Sequence, residues 1–561
     1  MGAGRIFVLL SIPGCGPAAR IPQPEVTPAT FDPSAPVRES DPPPPPISGG
    51  SLLAARDGRT FVFADPDRDV VWRADMVAAR LLQQVALDPG DEPGRVVEDA
   101  AGRFHAVLRG GGALATIRFG EDLDVVRRSV CAEPRGVAYD PAGDVVHVVC
   151  TGGDLVTLRA AGGDPIRRVR LDKDLRDVVV DGDRLLISTF RSAEVLVVDR
   201  GGKVERRISL PSGDAPSRPD LGFFEPSVAW RMIPKPGGGA YVIHQRAATR
   251  ELPKDTPAGT RYYADVVQTV VTEIDRRGEP RSSAPEAGAT LPVDLASCDG
   301  RFAIAAAAEP ALLVGDLGSL GFVTVAGQIV AVACGPDGEF VAASREPAAL
   351  FSTGGPTVLL PAAPCEHTGH GMFHLATDAG IACASCHPEG REDGRVWLFE
   401  GDGPRRTQPV YGGVLGTAPF HWDGSLPRFE DLVGLVLVGR MGAPRPPEAI
   451  VDSMARWLDS VPAPRGDGGD PSTAARGRIV YERAGCAGCH EGGTDRSFDV
   501  GTGGLFQAPP LAGLGTRAPY LHDGTAETLE ERFESGDDRH GHTEDLAPVE
   551  IAALVSLLGG L

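Results

Sequence analysis

Between about residue 50 and residue 362 the chain alternates short apolar, β-branched runs with turns built on Asp, Gly or Pro. Val137-Ala-Tyr-Asp-Pro-Ala-Gly-Asp-Val-Val-His-Val-Val and Val178-Val-Val-Asp-Gly-Asp-Arg-Leu-Leu-Ile-Ser-Thr are two copies of the unit. Val293-Asp-Leu-Ala-Ser-Cys-Asp-Gly-Arg-Phe-Ala-Ile-Ala and Val330-Ala-Val-Ala-Cys-Gly-Pro-Asp-Gly-Glu-Phe-Val-Ala are later ones. Each reads strand, turn, strand, and a third strand follows, as in Glu194-Val-Leu-Val-Val-Asp. Turn residues of this kind between β-branched runs mark hairpins. Recurrence roughly every 40 residues is the period of propeller blades. Units starting near Leu52, Val97, Val137, Val178, Val228, Val293 and Val330 predict an all-β, seven-bladed propeller over residues 50–362. The fifth blade is widened by an insertion around Arg250 to Tyr263. Beyond it the pattern changes to helical spacing, with amphipathic segments over Pro447 to Leu458 and Pro548 to Leu558. These close two segments, 363–464 and 465–561, so a multidomain chain with two mainly α domains after the propeller is expected.

The amino terminus does not fit this plan. Arg5, the apolar run Ile6 to Ile12 and the lipobox-like Ile12-Pro13-Gly14-Cys15 make residues 1–15 an export signal, with lipidation at Cys15 as a membrane tether. Residues 16–49 are rich in Pro, including Pro42 to Pro46, and read as an extended tether. The expected location is therefore the periplasm or outer surface. Composition narrows the partners. With 55 basic and 76 acidic residues the net charge is −21, which repels phosphate backbones and argues against nucleic acid. Small basic proteins suit it better. The 72 Gly and 50 Pro match many short elements joined by turns.

Nine of the twelve histidines and four of the ten cysteines lie after residue 366. The cysteines form Cys383-Ala-Ser-Cys386-His387 and Cys486-Ala-Gly-Cys489-His490. C-x-x-C-H is the signal for covalent c-type haem, two thioethers to the porphyrin and a histidine to the iron. Two covalent haems are thus expected. The surrounding segments are copies of each other: Thr417-Ala-Pro-Phe-His-Trp-Asp-Gly answers Arg517-Ala-Pro-Tyr-Leu-His-Asp-Gly. Two tandem cytochrome c domains follow. The propeller's own histidines, His105, His147 and His244, are too scattered for a metal cluster, and it reads as scaffold or partner platform. Cys131 and Cys150 are expected to form a disulfide. Cys298 and Cys334 either pair or are simply buried, and Cys365 is left over.

Residues 366–561 resemble the bacterial di-haem cytochrome c peroxidase and MauG superfamily. The resemblance rests on Gly369-His-Gly-Met-Phe before Ile381-Ala-Cys-Ala-Ser-Cys-His-Pro, then Trp422-Asp-Gly, then Ala518-Pro-Tyr-Leu-His-Asp-Gly with Thr528-Leu-Glu-Glu. It implies a peroxidatic first haem on His387, an electron-relaying second haem on His490, and Glu430 as catalytic acid–base group. The family's distal glutamine is replaced by Phe420. A calcium ion between the domains is a further cofactor it allows.

The sixth ligands decide the chemistry, because an iron with two strong ligands passes electrons and an open one binds peroxide. The last methionine, Met454, precedes Cys486, so the second iron takes no methionine from its own segment. His540, then His542, are the candidates, and His522 reads as a structural hydrogen-bonding residue at the turn. Met441 aligns with the His540 to His542 region and is the candidate for the first iron, core packing being the other reading. His421 is a further distal group. Trp397 or Trp422 is a candidate conduit between the haems or a packed core residue.

The leading expectation is an exported di-haem peroxidase that reduces hydrogen peroxide with electrons from a small donor cytochrome. Two alternatives stay open. One is a non-catalytic electron-transfer protein whose propeller docks a partner; the other is MauG-like oxidation of a bound protein.

Overall fold

The computed structural model describes residues 34–214, 222–253, 266–466, 470–491, 494–534 and 538–561. The expectations placed on Arg5 to Cys15, and the insertion from residue 254 to 263, lie outside the described residues.

Seven antiparallel sheets follow one another in chain order, spanning 52–86, 93–129, 134–170, 175–209, 213–282, 292–324 and 329–359. Six have four strands and the fifth has five, its inner strands stretched to Phe223–Pro234 and Ala240–Ala248. This is the seven-bladed propeller the repeat predicts. Tight turns set the register. Cys298 pairs with Arg301 across Asp299 (φ 50°) and Gly300 (φ 86°), the left-handed pair that a two-residue hairpin needs. Every blade uses consecutive strands, so among the described residues no shared strand closes the ring. The ends meet instead through the Gly50 N–H to the Val330 carbonyl (3.2 Å) and Arg345 with Asp67 (2.8 Å). Both Cys131–Cys150 and Cys298–Cys334 are disulfides.

The propeller histidines hold blades together. In the second blade the buried His105 ring bridges Asp99 Oδ2 and Thr116 Oγ1, each at 3.0 Å, and Arg128 donates to the same Thr116. The third blade repeats this with His147, Thr157 and Arg167. In the fifth blade His244 meets Thr272 at 2.8 Å. Burial lowers the His147 pKa to about 4, the nearby Asp140 carboxylate opposing and Arg167 and Arg200 adding to the fall. Burial takes His244 to about 3.

After the propeller come two halves of one plan. The first holds α1 (Thr368–His374), α2 (Cys383–Cys386), α3 (Phe429–Val433), extended by a π-helical stretch Gly434–Arg440, and α4 (Glu448–Ser460). The second holds α5 (Pro471–Arg483), α6 (Ala487–His490), α7 (Leu529–Glu534) and α8 (Pro548–Gly559). These helices are short, with much of the chain between them in turns and two small hairpins. Equivalent backbone points recur: His421 (φ 76°) matches Leu521 (φ 71°), and the bridge Phe420 to Leu426 matches Tyr520 to Ala526. In each half the first helix crosses the last at a glycine. A Cβ on Gly369 would lie 2.2 Å from the Ser453 carbonyl oxygen, and one on Gly477 would lie 2.1 Å from that of Ala553.

Residues 34–49 are not a free tether. Glu39 forms a bridge with His367 and an ion pair with Arg456, while the Trp457 indole donates to the Pro44 carbonyl at 2.9 Å. Ile47 donates to His374 Nε2, and Ser48 bonds Glu389. A proline run has no spare N–H groups to satisfy, so it can pack as a strap against propeller and helices.

Candidate functional site

Each half holds an apolar cleft. The first is lined by Cys383, Cys386 and His387 with Phe373, Trp397, Phe420 and Met454. The second is lined by Cys486, Cys489 and His490 with Tyr481, Phe506, Tyr520 and Leu558. None of these four cysteines is in a disulfide. Burial pushes the Cys383 thiol up to about 12 and the Cys386 thiol well above its ordinary value.

The two histidines are prepared in the same way. His387 Nδ1 donates to the Arg391 carbonyl at 3.0 Å, and His490 Nδ1 donates to the Pro509 carbonyl at 2.9 Å. Committing Nδ1–H to a carbonyl leaves Nε2 as the unprotonated nitrogen, the arrangement that orients a metal-ligating imidazole. Burial lowers both pKa values and keeps the rings neutral. The residues fit the group that C-x-x-C-H implies: paired thiols, a tautomer-locked imidazole and an apolar cleft, present twice.

Arg406, Trp422 and Gln507 line both clefts and form the wall between them. The wall is hydrogen-bonded through the backbone: the Trp422 indole donates to the Arg406 carbonyl (2.8 Å), Arg406 N–H to the His522 carbonyl (2.6 Å), and Gln507 N–H to the Trp422 carbonyl (2.8 Å). Behind it the buried Glu392 lies 3.2 Å from Arg406 and 3.5 Å from Arg517. Burial alone would push that carboxyl up; Arg406, Arg517 and Arg191 outweigh it and hold it below the usual range. Trp397 lines the first cleft only, its indole held by Asp393 and Thr407.

The loop after His387 is inserted into the propeller. Glu389 is buried between Arg176 (2.5 Å), Arg135 (2.9 Å) and, at 4.0 Å, Arg109. Burial would raise its pKa, and these guanidiniums instead hold it well below the carboxylate range. Arg391 makes a bidentate pair with Glu133 at 2.7 and 2.9 Å. The fifth blade also reaches the cleft: Leu252 pairs with the Val396–Phe399 strand, and Leu252, Pro253 and Val266 form part of the first cleft's wall. The propeller is therefore more than a separate platform.

The remaining candidates divide. Met441 is buried in the first cleft with His421, whose backbone is left-handed (φ 76°) and whose Nδ1 faces Asp423 at 3.5 Å. In the second cleft the His540 ring lies 6.1 Å from that of His490, and Arg532 Nε donates to His540 Nδ1 at 3.0 Å. His522 is buried there and stacks on Phe506 at 3.8 Å. His367, His370 and His374 line neither cleft; they knit α1 to Arg345, Trp457 and the strap. Glu430 is the carboxylate that the resemblance implies. It is half-buried in the first turn of α3 and is not a lining residue of the first cleft. The reason is helical phase: Phe429, Leu432, Val433, Val436 and Leu437 are the stripe that faces the cleft, and Glu430 is one step off it.

Sequence reasoning missed Arg406, Gln507 and the Glu389 socket. Arg95, Arg135 and Arg176 each stand two positions before the repeat valine of consecutive blades, but Arg95 pairs with Asp177 and the third socket residue, Arg109, lies off that pattern. Among the described residues no group of three or more His, Cys, Asp or Glu side chains is gathered to hold a bare ion, so calcium has no side-chain cage there. No described helix is long and apolar enough to cross a membrane.

No protein-family profile and no curated protein matches the sequence. Among solved structures the chain is similar to hydrazine synthase of Kuenenia stuttgartiensis, with 14% identity over 58% of this chain and 98% of that one and a TM-score of 0.46. It is also similar to a streptogramin B lyase, with 11% identity over 54% and 92% and a TM-score of 0.41. Virginiamycin B lyase from Staphylococcus aureus follows with 9% identity over 53% and 92% and a TM-score of 0.38. At such identities no function carries across.

Proposed function

We propose that this chain is an exported electron-transfer protein carrying two covalent c-type haems, one in each cleft. The observation that carries this reading is the pair of clefts, each with two unbridged cysteines and a carbonyl-locked histidine, separated by one shared wall. Cys383, Cys386 and His387 would hold the first haem, and Cys486, Cys489 and His490 the second. Bound haem supplies a one-electron iron couple whose potential follows its axial ligands and their hydrogen bonds. In the second cleft His540, 6.1 Å from the His490 ring, is the group at hand; Arg532 Nε donates to its Nδ1, so that contact would have to give way before Nε2 could serve as a ligand. In the first, Met441 and His421 are the groups at hand. Trp422, in the wall of both clefts, is the side chain best placed to link them.

Electron transfer is favoured over peroxide reduction by one feature. General acid–base catalysis needs the carboxylate within hydrogen-bond reach of the reacting oxygens, and Glu430 does not line the cleft. A net charge of −21 favours a small basic cytochrome as the donor. The test is a ferric and half-reduced spin-state spectrum with peroxide turnover measured alongside. The reading expects six-coordinate, low-spin irons at both sites and no turnover sensitive to Glu430→Gln. A high-spin first site with turnover that falls about 10²–10⁴-fold in that variant would restore the peroxidase.

A further inference from the structure

Among the described residues the second motif makes no ion pair with the propeller, whereas the loop after the first does. In the second motif Gly485 and Gly488 are exposed and His490 is oriented by Pro509, a residue of the same half. In the first, the residues from Pro388 to Gly390 are buried, and the carbonyl that orients His387 belongs to Arg391. That residue's guanidinium is gripped by both carboxylate oxygens of Glu133, at the start of the third blade. Two residues earlier, Glu389 is seated among Arg135, Arg176 and Arg109, from the third, fourth and second blades. Its backbone is left-handed (φ 56°), a conformation that a non-glycine residue keeps only when its surroundings impose it. Thus the acceptor of the His387 hydrogen bond is held by ion pairs of opposite polarity, one at Arg391 itself and one two residues earlier at Glu389. Both anchors use neighbouring residues of one propeller strand, Glu133 just before it and Arg135 within it (Pro134–Asp140).

We infer that the propeller is the positioning device of the first haem site: Glu133, through Arg391, and the arginine socket, through Glu389, set the His387 hydrogen bond and so hold that site's potential apart from the second. This rests on the di-haem reading above. A firm Nδ1–H bond to a carbonyl makes the imidazole more basic, which stabilises ferric iron and lowers the potential. Loosening the clamp raises it. Among the described residues no propeller ion pair grips Pro509 or the second motif, the propeller reaching that half through Lys173 Nζ to the Gly515 carbonyl at 3.0 Å, so the second site should be indifferent.

The experiment is a spectroelectrochemical titration of the full-length holoprotein, with the two midpoints assigned in a Cys486→Ala/Cys489→Ala background. Pyridine haemochrome counts come first; preparations with no covalent haem would overturn the di-haem reading and this inference together. With two haems present, Glu133→Gln is expected to raise the first midpoint and leave the second in place. Glu133→Asp, which keeps the charge, is expected to return it toward the wild-type value. Glu389→Gln is expected to act in the same direction, and if it does not fold, Glu133→Gln, on a pair at the rim of the interface, decides alone. Unchanged midpoints in Glu133→Gln, or both haems moving together, would overturn the clamp while leaving the two haems standing.

Discussion

The two attachment loops begin alike and end in opposite surroundings. Cys383-Ala-Ser-Cys-His-Pro-Glu389 runs into the mouth of the propeller, where its carboxylate sits in an arginine socket. Cys486-Ala-Gly-Cys-His-Glu491 stays at the surface, where Glu491 pairs with Arg478, both side chains about 45% exposed. On the di-haem reading, the spacing of cysteine and histidine would specify which group is held, and what it then does would depend on the neighbours that the rest of the fold supplies, which differ between the two copies.

The strongest way to break this comparison is to remove the two glutamates in turn. Glu389→Ala leaves Arg135, Arg176 and Arg109 without their shared counter-charge in a dry interface, and loss of one buried partner costs about 3–5 kcal/mol. Urea unfolding followed by circular dichroism should register it. Next come the helix crossings, which test the likeness of the halves rather than their difference. Gly369→Ala and Gly477→Ala each drive a methyl against a backbone carbonyl, and both should lose about 1–3 kcal/mol. A loss in one half only would show that the crossings are not equivalent.

Acid separates the propeller from the surface of the chain. His147 is held neutral with a folded pKa of about 4 against 6.5 unfolded, so the unfolded state binds more protons between those values. Stability should therefore fall as pH drops from 6.5 toward 4, by up to about 1.4 kcal/mol per pH unit. His147→Gln should flatten that part of the curve. The smallest effect belongs to Glu491→Ala, which removes a solvated pair and should cost no more than about 1 kcal/mol. A loss as large as that of Glu389→Ala would erase the contrast between the loops.

Much of this architecture could be read before any coordinates. Repeat valines such as Val137 and Val178 mark inner strands of successive blades, because a blade buries its β-branched strands and turns on Asp and Gly. The two C-x-x-C-H motifs and the matched Trp422 and His522 segments lead to the clefts and their wall. Three things stayed hidden for physical reasons. The arginine socket needs the ring of blades to bring Arg109, Arg135 and Arg176 to one point, which no local pattern states. The strap needs partners distant in sequence, Trp457 and His374 among them, to turn a proline run into packed structure. The third is the phase of α3: motif order points to Glu430, but it does not report that Phe429, Leu432, Val433, Val436 and Leu437 are the residues facing the cleft.

The central claim is that each cleft holds its own covalent haem, and the most direct test is the haem count of the purified full-length chain. Intact mass and pyridine haemochrome should both give two haems per chain, falling to one when Cys383 and Cys386, or Cys486 and Cys489, are replaced by alanine. A chain matured in a haem-attaching host that carries no covalent haem, or one whose count is indifferent to removal of either cysteine pair, would contradict it.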